Sequence, residues 1–403
     1  MWAILFISSK EKVPIMYARN TFILFISCLL FACQSTDKQT TSNSPTLLND
    51  ALFPTYQLFA VETPEEIFFL DDDAKAFAER AVYEISISEK NPKRFAKSLF
   101  EHSDQNDGAV VYRNNANTVA NSTFNNRSAN CLSLSIMAYA LAEHAGLDAE
   151  FYEIDIPEYW TRRDGYSLLN GHINLQVSVP DNPLLVSVGA SAVTIDFDPQ
   201  MLRSPFPRKV ISKQKVLSMF YNNKGADALV ANRYTRAYGY FRAAALMSPQ
   251  LQQSWVNLGV LYRKIGELDQ AELTYKHALS LNEDNLTAWE NLSILYVHQG
   301  RNDEAMAITE MVKTKRRTNP FYHFILGEQA FDEGALAQAL SHYQRALRLD
   351  DGHHEILFGM AKVLHELGDI HQSQRYLQQA LKHADNDQDK TRYMSKLAAI
   401  ASS

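Results

Sequence analysis

Glycine recurs at a fixed interval in the second half of this chain. Four glycines are each separated by 34 residues, at Gly266, Gly300, Gly334 and Gly368. A period of this length is typical of arrays in which each repeat is a pair of antiparallel helices, with glycine supplying the turn between them. Because one such pair cannot bury its apolar face alone, the repeats have to stack on one another. The interval therefore predicts an all-helical solenoid.

Other residues keep the same register and identify the type of repeat. Aromatic, leucine and alanine positions recur with the same period: Trp255 and Trp289, Leu258, Leu292 and Leu326, Tyr262 and Tyr296, and Ala271, Ala305 and Ala339. The pattern resembles the tetratricopeptide repeat. It predicts four repeats over residues 252–387, a degenerate joining repeat over residues 216–251 and a capping helix over residues 388–403.

Upstream of the repeats, Cys131 lies at the predicted start of an apolar helix that ends before Gly146. Asn130 precedes it and is a good N-cap residue. A thiol becomes a strong nucleophile as thiolate, and a helix N-terminus and a nearby imidazolium are two common causes of a lowered thiol pKa. Cys131 is therefore a candidate nucleophile, and the alternative is an inert buried thiol.

A histidine and two aspartates follow this helix. The pattern of apolar residues changes there from helical to alternating, and it places His172 on the polar side at the start of a strand. Residues 192–198 form another short alternating run, which carries Asp196 and Asp198 on one face. An adjacent antiparallel strand would bring one of these carboxylates beside the imidazole, and alternation alone does not choose between them.

Together these residues resemble the transglutaminase-like superfamily of papain-related cysteine enzymes, in its bacterial branch fused to tetratricopeptide repeats. The resemblance covers about residues 108–200 and includes four further short motifs, Ala-Gly-Leu-Asp-Ala at 145–149, Pro-Glu-Tyr-Trp at 157–160, Asn-Gly-His at 170–172 and Ile-Asp-Phe at 195–197. It implies an α+β transglutaminase-like (papain-like) domain over residues 51–215. It also implies Cys131 as the nucleophile, His172 as the base and Asp196 as the residue that orients the base.

The chemistry implied by the resemblance is acyl transfer through a thioester, with a peptide or protein amide as substrate and water or an amine as acceptor. Asn174 stands where cross-linking transglutaminases commonly have an aromatic residue, so the sequence does not assign cross-linking. The backbone N–H of Cys131 is one expected oxyanion donor, because a helix N-terminus has unpaired N–H groups.

Two residues near the motifs are candidates for substrate binding, namely Asn130 and Trp160. Trp160 follows Pro157 in a polar stretch, predicted to be irregular as far as Asn170. Its indole either grips an apolar part of the substrate or fills the space under the loop, since both uses bury an aromatic ring.

The first 33 residues resemble a bacterial lipoprotein signal, with a second possible start at Met16. The resemblance implies cleavage before Cys33 and acylation of its thiol, and Gln34 favours the outer membrane, with the protein facing the periplasm. The alternative is an uncleaved membrane anchor. Residues 34–50 are rich in Ser and Thr and predict a flexible tether.

The remaining features restrict partners and cofactors. A formal net charge of −7 gives no basic surface for nucleic acid. No zinc spacing or phosphate-binding glycine loop is found, and His353-His354 lacks a third ligand nearby, so we expect neither a metal nor a cofactor. The concave face of the repeats is expected to bind a protein partner or to be simply solvated, at Asn257, Arg263, Asn291 and His323.

The sequence therefore predicts an envelope lipoprotein that joins a cysteine acyl-transfer domain to a protein-binding repeat array. The competing hypothesis is a non-catalytic scaffold for an envelope protein complex, in which the cysteine domain is degenerate. The two hypotheses differ in whether the thiol, the imidazole and the carboxylate meet in space.

Overall fold

The computed structural model describes eight segments of the chain, which are residues 4–7, 47–84, 87–101, 111–113, 116–180, 192–197, 206–384 and 387–401. Two regions follow one another within them. The first is an α+β region that contains Cys131, His172 and Asp196, and the second is helical throughout.

The strands of the α+β region form one larger sheet and two short pairs. Their bounds are β1 Ile4–Ile7, β2 Tyr83–Glu84, β3 Ile87–Lys90, β4 Val111–Tyr112, β5 Ser128–Ala129, β6 Asp148–Arg163, β7 Tyr166–Ser178, β8 Val193–Ile195 and β9 Arg208–Ile211. The larger sheet has the order β1-β7-β6-β9, and β8 also pairs with β7. Every pairing in this sheet is antiparallel.

Five helices accompany the strands, namely α1 Pro64–Phe68, α2 Asp72–Val82, α3 Pro92–Glu101, α4 Ala120–Asn126 and α5 Cys131–His144. Eleven of the fourteen residues of α5 are buried. Its apolar side chains pack in one core with residues of α2, α3, β6 and β7. The predicted buried helix after Asn130 is therefore present, and burial on all sides explains why its sequence is apolar nearly all round.

The predicted irregular stretch between Pro157 and Asn170 is wrong. Residues 148–178 instead form a long hairpin of β6 and β7, which turns at Asp164-Gly165. Asp164 and Gly165 both have positive φ, 49° and 83°, as a tight hairpin turn of this kind requires. Polar side chains of this stretch, among them Tyr159 and Arg162, bond to the repeat helices. This is a tertiary effect that the local sequence does not encode.

The helical region consists of eleven helices within the described residues. They are α6 Lys213–Val230, α7 Tyr234–Met247, α8 Gln252–Lys264, α9 Leu268–Leu281, α10 Leu286–His298, α11 Asn302–Arg316, α12 Pro320–Asp332, α13 Leu336–Leu349, α14 His354–Glu366, α15 Ile370–His383 and α16 Asp387–Ala401. Helices α8 to α15 form the four predicted pairs. The periodic glycines have φ between 72° and 87° and lie at the turns within these pairs, as their spacing predicted.

A second periodic glycine position brings the two helices of a pair together. A Cβ atom on Gly259 would lie 2.5 Å from the ring of Tyr275, and one on Gly327 would lie 2.7 Å from the ring of Tyr343. Gly225 has the same relation to Phe241, at 2.6 Å. Since α6 and α7 use the same close packing, they are built like a repeat that precedes the four regular ones.

This packing gives the first prediction. Gly259→Ala will lower the free energy of unfolding by about 1–2 kcal/mol, because the clash with the fully buried Tyr275 ring exceeds the gain in helix propensity. The measurement is the urea midpoint of the full chain. Ser280→Ala, at an exposed position of α9, is the matched control and should change it by less than about 0.5 kcal/mol. A Gly259→Ala protein that is more stable than the parent would contradict the prediction.

Candidate active site

Helix α5 begins at Cys131, and Asn130 is its N-cap. The Oδ1 atom of Asn130 accepts a hydrogen bond from the backbone N–H of Ser133 at 2.9 Å. The thiol of Cys131 is 1% exposed. The thiol therefore lies in the first turn of a buried helix, where the helix dipole favours a negative charge.

His172 lies in β7, and Asp196 directly follows β8. The two strands pair in antiparallel fashion, with Leu175 opposite Ile195. This register places His172 Nε2 2.9 Å from Asp196 Oδ2, and both side chains are buried. Asn174 Nδ2 donates to the same carboxylate oxygen at 3.3 Å. Asp196 is therefore held from two positions of β7, while Asp198 lies outside the described residues.

The thiol and the imidazole are hydrogen-bonded to each other, and each changes the pKa of the other. Burial raises the pKa of Cys131, whereas the hydrogen bond to His172 and the positive charge of its ring lower it, and the net shift is downward. For His172, burial lowers the pKa, but the hydrogen bonds to Asp196 and Cys131 outweigh it, so the pKa is raised. Both shifts favour a thiolate beside an imidazolium.

A network that the sequence analysis missed supports the first turn of α5. Asn130 Nδ2 donates to Asn117 Oδ1, and Asn117 Nδ2 donates to Asp227 Oδ2 in α6. The other oxygen of Asp227 accepts from Arg163 near the tip of the β6–β7 hairpin. Asn130 is fully buried within this network. Its observed contacts are those of a structural cap, and they link the position of Cys131 to the repeats.

Trp160 lies on β6, far along the hairpin. Its indole is 1% exposed and packs with Tyr322 and Ile325 of α12. The guanidinium of Arg316 lies 4.8 Å from the centre of the indole ring. Of the two uses considered for this residue, the observed environment is that of an apolar contact between the hairpin and the repeats.

The distal half of the hairpin, residues 159–169, lies against the repeat helices, and we call it the arm. Tyr159 donates to Glu355 at the start of α14 at 2.7 Å, and Arg162 forms an ion pair with Asp332 of α12 at 2.7 Å. Tyr166 and Leu168 share a core with residues of α8 and α9. The arm therefore contacts the first helices of successive repeats, the surface that such arrays use for binding.

At the base of the arm, β6 bulges opposite Gly171. Ile154 pairs with His172, whereas Tyr159 pairs with Asn170, so the intervening residues 155–158 have no partner in the ladder. Arg316 of α11 holds this bulge by two hydrogen bonds to the Glu158 carboxylate, at 2.7 and 2.8 Å. The repeats are thus connected to the strand segment that contains His172.

The four concave-face residues expected to meet a partner or solvent are buried instead, so this expectation is wrong. Asn257 donates to Asn222 of the preceding first helix at 2.9 Å, and Asn291 donates to the Thr287 carbonyl at 2.9 Å. His323 Nε2 accepts from Arg345 at 3.0 Å, and Arg263 is 5% exposed. Asn257 and His323 connect helices within the array, whereas the bond of Asn291 lies within α10. Sequence spacing cannot distinguish these uses from exposure.

A polar cleft of about 390 Å³ opens between the base of the arm and the repeats. One wall contains Asp155, Asn170 and Gly171, beside His172, and the other is formed by residues around the starts of α8 and α10. The cleft therefore reaches the main chain next to the proposed base.

Several sequence predictions lie outside the described residues. They include Cys33 with its cleavage site, Met16 and most of the tether. Within the described ranges, no helix is both long and apolar enough to cross a membrane, and no three His, Cys, Asp or Glu side chains are grouped as metal ligands would be.

Family comparisons identify the helical region. Residues 252–285 and 330–399 match models described as tetratricopeptide repeat. These segments are tetratricopeptide repeats. A curated relative, the tetratricopeptide repeat-containing protein trd-1 of Caenorhabditis elegans, is 24% identical over 132 residues. The match covers 32% of this chain and spans 17% of the length of that protein.

Solved structures similar to this chain include a thermophilic TPR protein from Thermus thermophilus, with 22% identity and a TM-score of 0.30 over 43% of this chain and 95% of that one. Another is pilF of Pseudomonas aeruginosa, with 17% identity and a TM-score of 0.29. The match covers 47% of this chain and 90% of that one. A third is YrrB, described as a TPR protein with an unusual peptide-binding site, with 16% identity and a TM-score of 0.25. The match covers 44% of this chain and 92% of that one.

The buried ion pairs at the base of the arm give the second prediction. Arg316 is 1% exposed and also bonds to Glu290 at 2.6 Å, so Arg316→Met leaves two carboxylates without their cation. We expect a loss of about 3 kcal/mol in stability and faster amide hydrogen exchange in residues 159–169. Lys313→Met, at an exposed ion pair on the same helix, should change neither. Unchanged exchange in the arm of Arg316→Met would show that this cluster does not hold the arm.

Proposed function

We propose that the α+β region is a cysteine acyl-transfer domain of the transglutaminase-like type, with Cys131 as nucleophile, His172 as general base and acid, and Asp196 as the orienting residue. One observation carries the proposal, namely the hydrogen-bonded series from the thiol through the imidazole to the carboxylate. The location of the thiol at the start of a helix supports it, because the same geometry favours the thiolate.

In the proposed reaction, the Cys131 thiolate attacks the carbonyl carbon of a peptide or protein amide. The C–N bond then breaks, and His172 gives its proton to the leaving amine, so that a thioester remains on Cys131. Water or a second amine attacks the thioester carbon and gives a proton to His172, and the thiolate leaves. Asp196 stabilises the imidazolium and fixes which ring nitrogen faces the sulfur.

The tetratricopeptide array is a protein-interaction scaffold, since such repeats bind peptides and proteins. In this chain the arm already occupies part of their inner surface. We assign the array two uses, to hold the arm and with it His172, and to recruit a protein through the surface that the arm leaves uncovered.

The proposed location is the outer membrane, facing the periplasm, with a lipid on Cys33. The support is the apolar segment that ends in Leu30-Phe31-Ala32-Cys33 and the polar tether after it. Cell-wall peptides and envelope proteins are then the accessible substrates.

The third prediction tests the lipid anchor. Full-length protein expressed in a Gram-negative host should incorporate labelled palmitate, and Cys33→Ser should abolish the incorporation because it removes the acylated thiol. Cys28→Ser, a loss of the neighbouring thiol, is the matched control and should keep the label. Equal labelling of the two variants would rule out acylation at Cys33.

The fourth prediction tests the catalytic pair by alkylation with iodoacetamide, in a full chain carrying Cys28→Ser and Cys33→Ser. The thiolate forms as the pH rises through the pKa of Cys131, and this pKa lies below the usual value of about 8.5. Alkylation should therefore already be fast near neutral pH. His172→Ala removes the imidazolium, so the pKa should rise and the rate at pH 6.5 should fall about tenfold.

His144→Ala is the matched control, because this histidine lies at the opposite end of α5 and bonds to Glu79. Its alkylation profile should equal that of the parent. If the parent profile is centred near 8.5 and does not respond to His172→Ala, the thiol is inert. That result would favour the competing hypothesis of a non-catalytic scaffold.

A further inference from the structure

The face of the sheet that carries His172 also carries an arginine. In the antiparallel ladder, Arg208 of β9 is paired with Ile154 of β6, and Ile154 is paired with His172 of β7. Side chains of residues paired across neighbouring strands point to the same face of a sheet. Arg208 and His172 therefore share one face, with a single strand between them. All of these residues lie downstream of Cys33, so cleavage before Cys33 retains them.

Three contacts fix the exposed side chain of Arg208. Its Cζ atom lies 4.5 Å from the centre of the Tyr152 ring, which is a cation–π distance. Nη2 donates to Gln176 Oε1 at 3.0 Å, and Nη1 donates to the Thr194 hydroxyl at 3.4 Å. The side chain therefore crosses β6 and reaches residues of β7 and β8.

The guanidinium of Arg208 is fixed, but its charge is not neutralised. Within the described residues, Arg208 forms no ion pair with a carboxylate. Glu150, whose ladder partner is Gln176, accepts a hydrogen bond from the Tyr152 hydroxyl at 3.2 Å instead. An arginine has five N–H donors, and the two hydrogen bonds use two of them. The remaining donors and the positive charge are thus available on an exposed surface.

A fixed and exposed arginine of this kind is suited to bind a carboxylate. The planar fork of the guanidinium matches the two oxygens of a carboxylate, to which it can donate two parallel hydrogen bonds. Because the side chain is already ordered, binding costs little further rotamer entropy. In a peptide, the matching group is an Asp or Glu side chain or a terminal carboxylate.

The distance from this guanidinium to the proposed base corresponds to a few peptide residues. Tyr152 is paired with Asn174, two residues beyond His172 along β7, and Gln176 lies four residues beyond it. At about 3.4 Å per residue, the guanidinium therefore lies about 7 to 13 Å from His172 along the strand. An extended peptide spans this distance with two to four residues. One peptide can thus reach both the thiol and the arginine.

We infer that Arg208 is a specificity-determining residue of the acyl-transfer site, which binds a carboxylate two to four residues away from the reacting amide. The preferred substrates are then acidic peptides or acidic segments of proteins. This assignment rests on the proposed acyl transfer, and it deepens it by naming the substrate class. Tyr152, Gln176 and Thr194 position the guanidinium, and Arg208 itself contacts the substrate.

The fifth prediction concerns charge selectivity at Cys131. The probes are iodoacetyl tetra-alanine peptides with an amidated carboxyl end, in which one alanine at the second, third or fourth position is replaced by glutamate or by glutamine. The protein is the full chain with Cys28→Ser and Cys33→Ser. For at least one position, the glutamate probe should alkylate Cys131 about fivefold faster than the glutamine probe, because its ion pair with Arg208 holds it beside the thiol. Added salt should reduce this ratio by screening the pair.

Arg208→Gln should bring the glutamate-to-glutamine rate ratio close to one. Lys209→Gln is the matched control and should keep the ratio, because it removes the neighbouring positive charge of β9 from the opposite face of the sheet. A ratio near one in the parent, or a ratio that survives Arg208→Gln, would overturn the assignment. An equal fall in both variants would indicate attraction by net charge alone and would overturn it too.

A reference rate separates failure of this assignment from failure of the proposed function. Each rate is divided by the rate of iodoacetamide on the same variant, which removes any change in the reactivity of the thiol itself. A thiol that reacts with iodoacetamide but does not prefer the glutamate probes would reject the role of Arg208 and leave the proposed function standing. A thiol inert to iodoacetamide would count against the proposed function. The affinities of acetylated, dye-labelled forms of the same peptides for the parent and for Arg208→Gln would then still decide whether Arg208 binds a carboxylate.

Discussion

The antiparallel pairing of β6 with β7 is the interaction on which the rest of the structure depends. One end of this hairpin lies over α5 and carries His172, and the other end is the arm, which lies among the repeat helices. A strand pair is stiff along its length, so the position of the imidazole is tied to the contacts of the arm. The bulge at residues 155–158 is the point where this ladder is interrupted, and there Arg316 supplies the contact that the ladder lacks.

Electrostatics explains why the three site residues are stable together in a buried place. An isolated thiolate in this core would be costly, because burial favours the neutral thiol. An isolated imidazolium would be costly for the same reason. Next to each other, and with the Asp196 carboxylate 2.9 Å from the ring, the charges compensate one another. The low exposure of the site strengthens these interactions relative to the same groups in water.

The repeats act on the α+β region through polar contacts as well as through the apolar core. Asp227 of α6 connects Arg163 of the arm to Asn117, and through Asn117 to the N-cap of α5. Both the thiol and the imidazole are therefore supported from the helical region. This arrangement gives the array a structural role beside its role as an interaction scaffold.

The sequence by itself determined the elements whose signal is local. The period of 34 residues gave the helix pairs and their glycine turns, and Asn130 followed by an apolar run gave α5, because capping and helical periodicity depend on neighbours in the chain. Alternation placed His172 on a strand but left Asp196 and Asp198 equivalent, and the register of β8 on β7 is what brings Asp196 to the imidazole. The arm, the burial of Trp160 and the use of Asn257 and His323 as links between helices were decided by tertiary structure alone. Contacts between residues more than a hundred positions apart, such as Glu158 with Arg316, leave no periodic trace in a single sequence.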